Sequence, residues 1–183
     1  MRENKRRVYR QETQQNRFLK YYIMDDFNKV LILTSVCCMA CDGEIAKEEV
    51  DTLNKLADVQ QLFGKEDLKV LLPTIMESLS QYGYDFVKSY LELLTKAEFS
   101  EQQAIQILSV ATKTIYADNK VEYDEVKFFK SIRRNLKISD DEILSKVEGV
   151  EDYWLSEDAQ DYNMSAFELN FSNVDYSSLK LEQ

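Results

Sequence analysis

The sequence repeats itself at an offset of 76 residues, and the repeated unit is a helix, an acidic bend and a second helix. The first copy centres on Met39, Ala40, Cys41, Asp42, Gly43, Glu44 and Ile45, followed by Glu48, Glu49 and Val50. The second centres on Ile115, Tyr116, Ala117, Asp118, Asn119, Lys120 and Val121, followed by Asp124, Glu125 and Val126. Asp42 matches Asp118, Ile45 matches Val121 and Glu49 matches Glu125. Gly43 matches Asn119, and these two residue types adopt positive φ most readily. The flanking apolar positions match as well: Leu31 and Ile32 with Ile107 and Leu108, Leu53 with Phe129, Leu56 with Ile132. If the two hairpins face each other, their carboxylate-bearing bends share one mouth.

The rest of the chain fits the same architecture. Apolar residues recur at intervals of three and four, as in Val50, Leu53, Leu56, Ala57 and in Val126, Phe129, Ile132, Leu136. Four glycines and one proline are too few for a hairpin-rich β fold, whose tight turns need them. The spacing predicts helices near 26–41, 46–61, 65–80, 84–96, 100–117, 122–136 and 139–147. Ser100 with Gln103 and Ser139 with Glu142 have capping-box spacing. Pro73 is expected to kink or split the third helix, and Gly83 marks a break after it. The expected fold is all-α, a compact bundle of about seven short helices built from two related helix-turn-helix halves.

Charge divides the chain into three regions. Residues 1–23 form a basic arm or an extra helix, with Arg2, Lys5, Arg6, Arg7, Arg10, Arg17 and Lys20. Residues 24–148 form the helical domain. Residues 149–183 form an acidic tail that carries aromatics. Trp154, Tyr162, Phe167 and Phe171 in that tail are candidate contacts for a protein partner, since aromatics anchor tight interfaces. The alternative is that the tail wraps its own bundle. The net charge of −10 opposes nucleic acid and anionic membranes. Direct nucleic-acid binding is not expected, and peripheral membrane contact is left to the basic arm.

Histidine is absent, so imidazole-based catalysis is excluded and the commonest zinc ligand is missing. Cys37, Cys38 and Cys41 are an odd, clustered set. They suit a reducing compartment and the packing of small side chains at a close helix contact. The longest apolar stretch, Val30 to Cys41, is too short to cross a bilayer, and no secretory signal is visible. A cytoplasmic, non-enzymatic protein is expected.

The two bends invite comparison with calcium loops. Asp42 to Glu49 has the spacing of the last eight positions of an EF-hand loop. The first two ligand positions, however, hold Cys38 and Ala40 in one copy and Thr114 and Tyr116 in the other. Neither copy can form the twelve-residue loop. Two readings remain. In the local one, the aspartate accepts hydrogen bonds from turn N–H groups and the glutamate reaches back to the start of its helix. In the functional one, Asp42, Glu44, Glu48 and Glu49 in one copy, with Asp118, Glu122, Asp124 and Glu125 in the other, supply oxygen ligands suited to calcium or magnesium.

At these bends the sequence resembles the TerB-like tellurite-resistance family. The resemblance rests on Leu31 to Val50, above all on the run from Met39 to Glu49, and on Ile115 to Val126. It implies an all-helical bundle of two related halves, in a bacterial cytoplasmic protein tied to stress response. It also implies divalent-cation binding at Asp42, Glu44 and Glu49, with Asp118 and Glu125 opposite. Members of the family are often placed in complexes at the inner membrane face or with nucleic-acid-processing systems. Cys41 replaces the family's alanine, and Asn119 and Lys120 replace a glycine and an acid. The function expected is a stress-response binding or scaffold module. The alternative is an accessory subunit that docks into a nucleic-acid-processing or defence complex through its tail.

Overall fold

A computed structural model describes residues 26–41, 47–58 and 68–156. Among these residues the regular structure is entirely helical. The helices are α1 (Phe27–Met39), α2 (Lys47–Asp58), α3 (Leu68–Tyr82), α4 (Tyr84–Lys96), α5 (Glu101–Ile115), α6 (Tyr123–Arg134), α7 (Asp140–Lys146) and the short α8 (Asp152–Leu155). The first seven follow the periodicity, with ends shifted by at most three residues. The eighth lies in the acidic stretch and is one turn long. The basic arm, residues 1–23, lies outside the described residues.

Local chemistry accounts for most helix ends. Asp26 opens α1 by accepting from the Asn28 N–H at 2.9 Å. Ser100 and Gln103 form the reciprocal cap of α5, and Ser139 and Glu142 that of α7. The Ser139 hydroxyl and N–H both donate to Glu142, which holds that carboxyl below its ordinary range. Gly83 separates α3 from α4 with φ 51, a conformation that disfavours any side chain. Of the two outcomes expected of Pro73, splitting does not occur: α3 runs through it as one element. Its ring is exposed, so water can reach the carbonyl that lacks an intrahelical donor.

The core is centred on α1. Every residue from Val30 to Met39 is buried, as a helix apolar on all sides requires. Its most extensive partner is α5, the equivalent helix of the second copy. α2 and α6 also pack against this pair, α3 packs on α4, and α4 packs on α6. Cys37, Cys38 and Cys41 are buried and carry no disulfide. They act as small apolar side chains in the central layer, and burial pushes the Cys37 thiol well up.

Two hydroxyl contacts cross this layer. Thr34 Oγ donates to the Val30 carbonyl at 2.8 Å, so Tyr90, 2.7 Å away, donates its own proton to Thr34. The hydroxyls of Ser35 and Thr114 lie 3.3 Å apart between α1 and α5. Buried hydroxyls have to find partners, so these contacts fix how α1 faces α4 and α5.

Candidate functional site

The second bend is described in full, and it shows what its carboxylates do. Asp118 is exposed and accepts from the Lys120 N–H at 2.8 Å, which closes the turn. Asn119 takes φ 63, the positive value its place in the repeat required. Glu125 is buried, 6% exposed, and accepts from the Glu122 N–H at 2.7 Å at the start of α6. This is the local reading of the acidic bend: both carboxylates satisfy backbone donors that have no helical partner. Lys120 and Glu122 form an ion pair beside it.

In the first bend Asp42 and Glu44 lie outside the described residues. Glu49 is described, and it is buried to the same degree as its counterpart, at 7% exposure. The Cys38 thiol is pushed well up, above all by burial, then by Cys37, Glu125 and Glu49. The repeat thus gives each half one buried glutamate.

Asp118 and Glu125 already accept backbone hydrogen bonds. Among the described residues no three His, Cys, Asp or Glu side chains are grouped as metal ligands.

The tail residues fare differently. Tyr162, Phe167 and Phe171 lie outside the described residues. Trp154, expected at a partner surface, is instead fully buried against its own bundle. Its ring stacks on Tyr116 at 5.7 Å and meets Phe129 edge-on at 5.0 Å. An indole buries more apolar area than most side chains, and the groove between α5 and α6 offers two aromatic faces to it. The sequence reading missed Tyr116 and Phe129 as the receptor of this ring. The signal was present, since both occupy repeat positions held by smaller residues in the first copy, Ala40 and Leu53. The indole Nε1 is buried without an acceptor, a defect that costs about 1–3 kcal/mol.

None of the described helices is long and apolar enough to cross a membrane. No curated protein and no solved structure matches the chain. A family model does: that of the tellurite resistance protein TerB, over residues 29–146. The match covers both acidic bends and the helices from α1 to α7 and stops short of the segment that carries Trp154. On this match, and with an all-helical bundle built from two related halves, the chain belongs to the TerB tellurite-resistance family.

Proposed function

We propose that the chain is a non-enzymatic binding module whose acidic end takes a divalent cation, calcium or magnesium, at the first bend. One observation carries this reading: Glu49 and Glu125, matched across the repeat, are both buried carboxylates. Asp42 and Glu44, at the matched bend, are oxygen donors of the right type. The second bend closes structurally through Asp118 and Glu125 and serves to hold α6 in place. The absence of histidine in the sequence supports a binding role over catalysis. A cytoplasmic stress-response role follows from the family and belongs to the same proposal. Docking of an accessory subunit through the tail would have to rely on Tyr162, Phe167 and Phe171, because the Trp154 ring faces the bundle.

Titration of the full chain with calcium and then magnesium, followed by amide resonances, tests the proposal. Shifts are expected at both bends. Glu49→Gln is expected to weaken binding by roughly tenfold or more, through loss of a ligand charge, and Glu125→Gln by less. Unchanged spectra at millimolar concentrations of both ions would remove the cation from the function.

A further inference from the structure

We propose that residues 148–156, which carry α8, form a releasable strap whose Trp154 plugs an aromatic groove on the family core. Three independent observations lead there. The family match ends at residue 146, before the strap begins. Its attachment rests on three apolar side chains: Trp154 and Leu155 are buried and Val150 packs half-buried on the core, while Glu148, Glu151, Asp152, Tyr153 and Ser156 are exposed. The plug itself is imperfect, because the Trp154 indole N–H is buried without an acceptor and regains one as soon as it meets water.

The strap also has a defined hinge. Gly149 adopts φ 87, and a Cβ there would come within 3.0 Å of the Tyr116 ring and 3.2 Å of Thr112. The Tyr116 hydroxyl donates to the Gly149 carbonyl at 3.0 Å. Tyr116 therefore both lines the groove and latches the hinge. Glu148, Glu151 and Asp152 are exposed, and residues 147–156 hold no basic side chain. Release uncovers Tyr116 and Phe129 on the core and presents Trp154 with its flanking acids. The strap thus gates an aromatic surface that the closed protein hides.

Trp154 is the only tryptophan in the sequence, so its emission reports on the strap alone. Hydrogen exchange on the intact chain is expected to be at least about tenfold faster at residues 152–155 than across Ile107–Thr112 of α5, at a urea concentration too low to unfold the bundle. Equal exchange in the two segments would make the strap part of the cooperative core and overturn the proposal. Trp154→Phe, which keeps an aromatic plug and removes the unmet donor, is expected to slow strap exchange severalfold. Faster exchange in that variant would show that the N–H is not the weak point, and would also overturn it. Gly149→Ala is expected to raise acrylamide quenching of Trp154 while leaving exchange in α5 unchanged. Unchanged quenching would count against the hinge.

Discussion

The two central helices occupy equivalent places in the repeat and live in different surroundings. α1 is buried on every side from Val30 to Met39. α5 buries Ala104, Ile107, Leu108, Val110, Ala111, Thr112, Thr114 and Ile115, and leaves Glu101, Gln102 and Lys113 exposed. At the same repeat position the first helix carries Cys37, fully buried, and the second carries exposed Lys113. Four residues earlier, Leu33 is buried where Ser109 is only half-buried. The outer face of α1 is covered from the α4 side, where Tyr90 bonds to Thr34. The outer face of α5 is left to solvent at Lys113. A duplicated hairpin thus keeps its inner face in both copies and adapts its outer face to whatever covers it.

The sharpest way to break this comparison is to exchange the two outer-face residues. Cys37→Lys is expected to cost more than about 4 kcal/mol, because it buries a charge in the central layer. Lys113→Cys is expected to change stability by no more than about 1 kcal/mol. Urea denaturation of both variants checks the pair, and comparable losses would show that the two faces are equivalent after all.

A smaller effect sharpens the comparison on the second helix of each hairpin. Leu53→Ala and Phe129→Ala remove matched buried side chains, and each is expected to cost about 2–5 kcal/mol. Only Phe129→Ala is expected to alter the tryptophan emission, since Phe129 touches Trp154. Equal spectral changes in the two variants would contradict the placement of that ring.

The smallest effect concerns the starts of α1 and α5. Asp26→Ala and Ser100→Ala each remove a side chain that accepts from its helix's first turn. Each is expected to lower stability by about 1 kcal/mol, as read from the urea midpoint. A difference much above that between them would mean that one cap also supports tertiary contacts.

The second bend was legible because the forces that shape it are local. Asp118 and Glu125 accept N–H groups two and three residues away, so spacing in the chain is enough to anticipate them. Tyr90 gave no comparable signal. Its partner Thr34 is 56 residues distant, and nothing in the spacing of either residue names the other.

Sequence alone determined the all-helical class, the seven main helices, the capping serines and the likeness to the TerB family. Each depends on interactions within a few residues, or on a pattern that recurs along the chain. Tertiary structure decided that α1 is enclosed on all sides, that Pro73 can remain inside a helix on an exposed face, and that Trp154 turns inward onto Tyr116 and Phe129. Burial of an aromatic ring is favourable against a partner or against its own bundle alike, and only the groove between α5 and α6 selects the second.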